Sequence, residues 1–260
     1  AVGLAFYPSE HWYIFPLMIL AGIFGGTIWA IIPAILKTRF NTNEILVSLM
    51  LVYIAEQALA AAAIGLLRNP DGSGFPGSRN LNQYPSASNP ELLVGTGIHW
   101  GVAFSFLTVW FFHYLLKRHQ FGFQIKLLGD APRAAKFSGL NTNYLIILCF
   151  GISGGLAGIA GMFELTGPVG AITIDFNVGY GFTAIIVAFL GRLNPIGIIF
   201  AGLLMALTYV GGEISQFMLG IPAAAIQVFQ GMLLFFLLSI DLIVKYKITF
   251  LKHIIKSSEG

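Results

Sequence analysis

Long apolar runs separated by short polar segments set the pattern of this 260-residue chain. A helix that crosses a bilayer needs roughly 20 consecutive apolar residues. The seven runs to compare with that length are residues 13–36, 45–67, 92–116, 144–163, 178–190, 195–210 and 222–240. The run at 178–190 is short for a crossing, so it is either a re-entrant helix or one extended by the uncharged end of the preceding loop. The pattern predicts an all-α polytopic membrane protein with about seven transmembrane helices.

Composition supports the same class. Hydrophobic residues make up 57% of the chain and charged residues 10%, and the mean hydropathy is +0.82. A water-soluble domain of this size needs more polar surface than 14 basic and 11 acidic residues supply. Cys149 is the single cysteine and lies in an apolar run, which excludes a disulfide framework or a thiolate metal site built by this chain.

Basic residues divide unevenly between the two sides of the predicted bundle. With seven crossings, twelve of the 14 basic residues fall on one side: Lys37, Arg39, Lys117, Arg118, Lys126, Arg133, Lys136, Arg192, Lys245, Lys247, Lys252 and Lys256. Arg68 and Arg79 fall on the other side. The positive-inside rule makes the twelve-residue side cytoplasmic, so the C-terminus is predicted to be cytoplasmic. The sequence pI of 9.0 then reflects topology rather than nucleic-acid binding.

The connections between spans follow from this orientation. Residues 1–260 are predicted to form one transmembrane domain with a cytoplasmic loop at 117–143, between the third and fourth spans. Residues 68–91 are predicted to form an external loop, whose Gly, Pro, Ser and Asn content indicates no regular core of its own.

Small residues recur every four positions in the fourth span, which reads GISGGLAGIAG. Lipid removes the hydrophobic drive for helices to associate, so membrane helices pack where small residues allow their backbones to approach. Tight packing is favoured over a gating role for this stripe. Its glycines are Gly151, Gly154, Gly155, Gly158 and Gly161.

Polar side chains at membrane depth are candidates for a solute pathway. Glu56 is in the middle of the second run, about 18 Å from its start at the helical rise and so near the bilayer midplane. Tyr53 and Gln57 lie beside it, Asn177 lies near the external end of the fifth run, and Glu213 lies just beyond the sixth. We expect these residues to line a translocation pathway, although the cluster at Glu56 fits hydrogen bonding between helices equally well.

The segment KLLGDAPRAAKFSGL at 126–140 collects charges and alanines in the predicted cytoplasmic loop. Asp130 fits a helix N-cap, and Pro132 fits the first turn, where its missing N–H costs little. A helix of about seven residues is therefore predicted from Ala131. Alone it is marginal in water, so it fits either docking into a groove of another protein or a solvated loop helix. The other residues of the predicted docking surface are Gly129, Arg133, Ala134, Ala135, Lys136 and Phe137.

The same segment resembles the cytoplasmic coupling segment of bacterial ABC-importer permeases of the branched-chain amino acid, ribose and nucleoside class. Three further stretches are similar to the nucleoside branch of that class: RFNTNEILVSLMLVYIA at 39–55, FGFQIKLLG at 121–129 and GYGFTAIIVAFLGRLNPIGIIFAGLLMALTYVGGE at 179–213. The resemblance covers nearly the whole chain. Two departures are Asp130-Ala131-Pro132 in place of Asn-Pro, which shifts the proline by one position, and Glu56-Gln57 in place of an apolar or aromatic pair.

The resemblance implies a permease subunit of a bacterial plasma-membrane importer, with nucleosides as the favoured solute and ribose or another simple sugar as the alternative. It implies three partners: a cytoplasmic ABC ATPase docked on residues 129–137, a second and dissimilar permease subunit, and an external substrate-binding lipoprotein. The ATPase uses the ATP, and no cofactor is expected on this chain, whose sequence holds no G-x-x-x-x-G-K-[ST] loop. Family members carry further N-terminal spans, so we expect this chain to lack the first part of the permease.

Two other classes compete with this interpretation. An ion-coupled secondary transporter predicts inverted repeats and an ion site near the midplane, where Glu56 is the one deep carboxylate. An intramembrane serine enzyme would use Ser153 of the G-x-S-x-G pattern, but that motif requires a strand–turn–helix. The only histidine after His119 is His253 in the tail, so we do not expect an enzyme.

Overall fold

The computed structural model describes residues 2–6, 11–72, 76–93, 95–174, 176 and 179–245, and helices dominate them. The helices are α1 Val2–Ala5, α2 Ile14–Phe40, α3 Glu44–Ile64, α4 Trp100–Arg118, α5 Gln120–Asp130, α6 Pro132–Phe137, α7 Thr142–Glu164, α8 Tyr180–Leu190, α9 Pro195–Leu219 and α10 Ala223–Lys245. Two short strands, β1 Glu91–Leu93 and β2 Ile98–His99, pair antiparallel. The chain divides into two compact units, Ala1–Val178 and Gly179–Gly260.

Four helices in the described part of the chain are long and apolar enough to cross a bilayer. They are α2, α3, α9, and α7 together with the π-helical turn Leu165–Val169 that extends it. This agrees with the predicted all-α polytopic class, while the total of seven spans stays a prediction. Helix α8 has 11 residues. It extends about 16 Å, well below the roughly 30 Å of a hydrocarbon core.

The sequence predicts that the third apolar run is helical from residue 92, and this start is wrong. Its first part forms the β1–β2 hairpin, and α4 begins only at Trp100. Gly95 and Gly97 occupy the turn with φ of +84° and +70°, a backbone conformation that a helix cannot contain. The Gly95 N–H donates to Glu91 Oε2 at 2.6 Å, which closes the hairpin.

The sixth run extends beyond its predicted end at residue 210. Helix α9 continues to Leu219, and Gly220 caps it in the left-handed conformation. Glu213 therefore lies within the helix and not beyond it. At the other end, the Asn194 side chain accepts a hydrogen bond from the Ile196 N–H at 3.1 Å, with Pro195 in the first turn.

In the first unit, α2 and α7 pack through glycines on both helices. A Cβ built on Gly26 would overlap the carbonyl of Gly154, and one built on Gly158 would overlap that of Gly22. The two backbones are therefore in direct contact, which only residues without side chains permit. The sequence interpretation missed Gly22 and Gly26, although their spacing of four is the same signal as the stripe on α7.

The remaining glycines of the α7 stripe divide into two kinds. The Thr27 hydroxyl of α2 donates to the Gly151 carbonyl at 3.2 Å, and a Cβ on Gly155 would lie 3.0 Å from the same hydroxyl oxygen. A Cβ on Gly161 would meet no described atom within 4 Å, so Gly161 is outside this interface. Gly161 follows Gly158 by three residues, which is a rotation of about 300° around the helix axis. Gly161 therefore lies at the edge of the stripe and not at its centre.

The loop predicted to be external packs onto the ends of α2 and α7. Leu81 and Ala87 of this loop are buried in one apolar cluster with Ile14, Met18 and Met162. The loop thus shares the core of the helices, and its described part includes the 3₁₀ turn Leu81–Gln83.

Hydrogen bonds fasten the same loop to the π-helical end of α7. In a π-helical turn the backbone N–H bonds to the carbonyl five residues back and not four. This change interrupts the regular hydrogen bonds of the helix and leaves carbonyl groups for other donors. Three loop donors use them: Leu81 N–H bonds to Gly170 O at 2.7 Å, Asn82 Nδ2 to Gly167 O at 2.9 Å and Asn89 N–H to Thr166 O at 2.9 Å. The helix end and the loop are one bonded structure.

Candidate functional site

The predicted docking segment begins differently from the sequence interpretation. Asp130 is the last residue of α5 and not the N-cap of the next helix. Ala131, with φ −143° and ψ 75°, ends α5 and caps α6, which begins at Pro132, one residue later than predicted. The proline ring disfavours helical geometry in the residue before it, so Ala131 separates the two helices.

The end of α6 has the bonding pattern of a Schellman motif. Gly139 has φ +79°, its N–H donates to Lys136 O at 3.1 Å, and the Leu140 N–H donates to Ala135 O at 3.2 Å. The Asn141 side chain then caps α7 by accepting from the Tyr144 N–H at 3.1 Å. The short helix is therefore joined to the start of α7 by a hydrogen-bonded turn.

The two faces of α6 are sharply different. Ala135 is 0% exposed and packs inside the unit, whereas Phe137 is 93% exposed. Ala135 is therefore not on the exposed face of α6, on which the sequence interpretation placed it with the other residues of the predicted docking surface. The exposed residues of the predicted segment are Gly129, Asp130, Pro132, Arg133, Ala134, Lys136 and Phe137.

The residues predicted to line a pathway belong to different helices of the described structure. Tyr53, Glu56 and Gln57 lie on α3 in the first unit, with Tyr53 and Gln57 exposed and Glu56 half-buried. Glu213 lies on α9 in the second unit. Asn177 lies outside the described residues.

Glu213 lines a cavity of about 550 Å³ within the second unit, between α8 and α9. Tyr209 Oη and Thr183 Oγ1 form a hydrogen bond of 2.6 Å across it. The rings of Tyr180 and Tyr209 meet edge-to-face with centroids 5.8 Å apart. Aromatic faces, hydroxyl groups and a carboxylate are the groups that bind ringed, hydroxylated solutes.

Sequence reasoning named only Glu213 from this cavity. Tyr209 precedes Glu213 by four residues and Tyr180 precedes Thr183 by three, so each pair shares a helix face. These spacings were the available signal. The hydrogen bond between the two helices depends on their packing, which no local pattern contains.

The chain belongs to a known class of membrane transport protein. The chain is a member of the permease-component family of branched-chain amino acid transport systems, whose family model matches residues 1–238. Together with the long apolar helices, this membership makes it a multi-pass membrane protein.

Particular relatives are permeases for glucose and nucleosides. The chain is 30% identical over 245 residues to the glucose ABC transporter permease protein TsgB13 of Haloferax volcanii, covering 90% of this chain and 64% of that protein. It is 26% identical over 248 residues to the guanosine ABC transporter permease protein NupP of Bacillus subtilis, covering 92% and 68%. It is 25% identical over 245 residues to the nucleoside ABC transporter permease protein NupB of Lactococcus lactis, covering 90% and 66%.

The chain spans about two-thirds of the length of these relatives. No solved structure matches it. The family match confirms the resemblance seen in the sequence, and the named relatives are permease proteins, in line with the expectation that the chain is a transport component.

Proposed function

We propose that the chain is the membrane-spanning permease subunit of an ATP-driven ABC importer. The observation that carries this proposal is the geometry of α6 in a chain that matches the permease family over residues 1–238. Ala135 anchors α6 in the unit, while Phe137 projects fully into solvent. An anchored helix with an exposed aromatic residue is suited to bind a partner and receive force from it, because aromatic side chains dominate many interfaces.

The proposed assembly has the partners that the sequence predicts. A cytoplasmic ABC ATPase docks on the exposed residues of 129–137 and hydrolyses ATP. A second permease subunit completes the pathway, and an external binding protein delivers the solute. The loop 117–143 and the C-terminus are cytoplasmic, and 68–91 is external. Closure of the ATPase around ATP pushes α6 and rocks the spans between outward-facing and inward-facing states.

Nucleosides are the proposed solute, and simple sugars are the alternative. The guanosine and nucleoside permeases among the relatives favour nucleosides, and the glucose permease favours sugars. The second-unit cavity suits both, since its tyrosine rings offer stacking surfaces and its hydroxyl and carboxylate groups offer bonds to ring hydroxyls.

The solute is tested by uptake of labelled guanosine in cells with and without this gene, with unlabelled nucleosides, ribose and glucose as competitors. Loss of nucleoside-competed uptake on deletion is the expected result. Loss of sugar uptake with intact nucleoside uptake would show that the solute is a sugar. Gene-dependent uptake that survives loss of the ATPase but not loss of the ion gradient would indicate a secondary transporter instead.

Docking and orientation are tested with single cysteines, because Cys149 is the only cysteine in these 260 residues. In a Cys149→Ala background, Phe137→Cys should cross-link to the ATPase and resist a membrane-impermeant thiol reagent added outside. Arg79→Cys, at the predicted external side, should react with that reagent. Reaction of Phe137→Cys from outside would refute both the orientation and the docking surface.

A further inference from the structure

Besides the cavity in the second unit, a cavity lies within the first unit, away from the proposed docking surface on α6. It has a volume of about 440 Å³ and lies between α4 and the C-terminal half of α7. The wall far from the loop predicted to be external is apolar, with Val109, Leu156 and Ile159 among its residues. The end at that loop is polar and carries Asn89 and Glu164.

The Asn89 side chain is the feature that needs an explanation. Asn89 is 3% exposed, and neither its Oδ1 nor its Nδ2 has a hydrogen-bond partner among the described residues. Its backbone is fully used, because its N–H donates to Thr166 O at 2.9 Å and its carbonyl bonds to His99. A buried amide with both ends unpaired is unfavourable. Asn89 lies in the wall of this cavity, so a polar molecule bound there is one way to satisfy the amide.

His99 and Glu164 stand beside this amide. The His99 Nδ1 lies 2.9 Å from the Asn89 carbonyl oxygen, which only accepts, so Nδ1 carries the hydrogen and Nε2 is left as an acceptor in the neutral ring. Gly167 makes room for the imidazole, since a Cβ there would approach His99 Cγ to 3.1 Å. The Glu164 carboxylate lines the same cavity as His99.

We propose that Asn89, His99 and Glu164 bind one neutral, ring-shaped solute with adjacent hydroxyl groups, such as a nucleoside or a monosaccharide. The Asn89 amide offers one donor and one acceptor edge, and the carboxylate accepts from two neighbouring hydroxyls. No Lys or Arg is among the described residues that line the cavity, so Glu164 disfavours a phosphate group. The volume suits one such molecule and not a two-tailed lipid.

This inference rests on the proposed function and names a site within it. At the predicted external end, the three side chains form the first polar site that a solute meets on release from the binding protein. The rings of Phe104 and Phe163, with centroids 5.5 Å apart, flank it and supply an apolar wall for a ring.

The first test replaces Asn89 by leucine at the chromosomal locus. Because the amide has no partner in the described structure, a leucine of similar size should keep the membrane abundance of the chain and its melting temperature. We expect the maximal uptake rate of labelled guanosine or glucose to fall about tenfold, the cost of losing roughly one strong hydrogen-bonded contact. Gln83→Leu makes the same type of exchange at an exposed position of the same loop and should change nothing.

The second test addresses the adjacent hydroxyls through Glu164→Gln. Uptake of guanosine is compared with uptake of 2′,3′-dideoxyguanosine in wild-type and variant cells. The external binding protein is the same in both strains, so any change in the ratio belongs to this chain. We expect the preference for guanosine to fall about tenfold in the variant, since a charged acceptor contributes that much discrimination.

The outcomes separate this site from the proposed function. If the wild type takes up neither probe in a gene-dependent manner, the proposed function fails and this site fails with it. If uptake is gene-dependent but Asn89→Leu keeps the wild-type rate, or Glu164→Gln keeps the wild-type ratio, only the site is overturned. Loss of abundance in Asn89→Leu would make the amide structural, satisfied by buried water, and would also overturn it.

Discussion

Gly158 of α7 lies directly on Gly22 of α2, so that a Cβ built on Gly22 would come within 3.0 Å of the Gly158 carbonyl oxygen. One turn further along, Gly26 and Gly154 repeat the contact. Two helices that meet backbone to backbone gain dispersion energy and leave no room for a methyl group. The effect of adding one methyl group to this contact between α2 and α7 can be measured.

Gly26→Ala should destabilise the first unit. The added Cβ would overlap the Gly154 carbonyl, so the helices must move apart at a cost of about 1–3 kcal/mol. The measurement is the melting temperature of the detergent-solubilised complex, together with membrane abundance. Gly25→Ala is the matched control, because a Cβ there meets no described atom within 4 Å. Equal melting of both variants would contradict the packing.

Phe137→Ala should lower uptake about tenfold while leaving abundance unchanged, since it removes an exposed contact residue. ATPase binding to membrane vesicles is the second readout and should fall in parallel. Phe217→Ala, which removes an equally exposed phenylalanine from α9, serves as the control. Full ATPase binding by Phe137→Ala would exclude this residue from the docking surface.

Ala135→Asp should act differently from Phe137→Ala. Ala135 is buried, so a carboxylate there enters the unit and not the docking surface. We expect low abundance and proteolytic sensitivity of the chain, measured by immunoblot of membranes with and without trypsin. Normal abundance with lost ATPase binding would instead restore Ala135 to the docking surface.

Tyr209→Phe should reduce uptake through the second-unit cavity. It removes the 2.6 Å hydrogen bond to Thr183, whose buried hydroxyl then lacks that partner, at a cost of about 1 kcal/mol. Initial uptake rates at several solute concentrations are the measurement. Thr208→Val removes a neighbouring hydroxyl that bonds only to its own helix, at Leu204 O, and should have little effect.

Glu56→Gln should change uptake kinetics more than abundance. Glu56 lies near the middle of α3 and is half-buried, where a charge contributes to a solute or ion pathway. The apparent KM and maximal rate are measured beside membrane abundance. Unchanged kinetics would make Glu56 a packing residue, and strong dependence of wild-type uptake on the ion gradient would support a secondary transporter.

The helical class and most helix positions follow from the sequence because apolar runs of spanning length have few other structures available. The exceptions have local causes. Gly95 and Gly97 turned the start of the third run into a hairpin, and Pro132 moved the start of α6 from Ala131. Both signals are legible in the sequence, and the rule that the residue before proline leaves helical geometry would have corrected the second.

The candidate site was less predictable, because its contacts join distant residues. Thr183 and Tyr209 are 26 positions apart, and Asn89 bonds through its backbone to Thr166 of a different element. The spacing of Gly22 and Gly26 predicts a packing face, but which helix it meets depends on the whole bundle. Burial also decides roles that composition leaves open, as the opposite environments of Ala135 and Phe137 demonstrate.

Helix α7 runs for 23 residues, about 34 Å, between two fastened ends. At one end the Schellman turn ties it to α6, and at the other the π-helical turn is bonded to the loop that carries Leu81 and Asn89. A stiff rod clamped in this way transmits displacement instead of absorbing it. In the proposed importer, a movement of α6 driven by the ATPase would therefore reach the loop that carries Leu81 and Asn89 through a single helix.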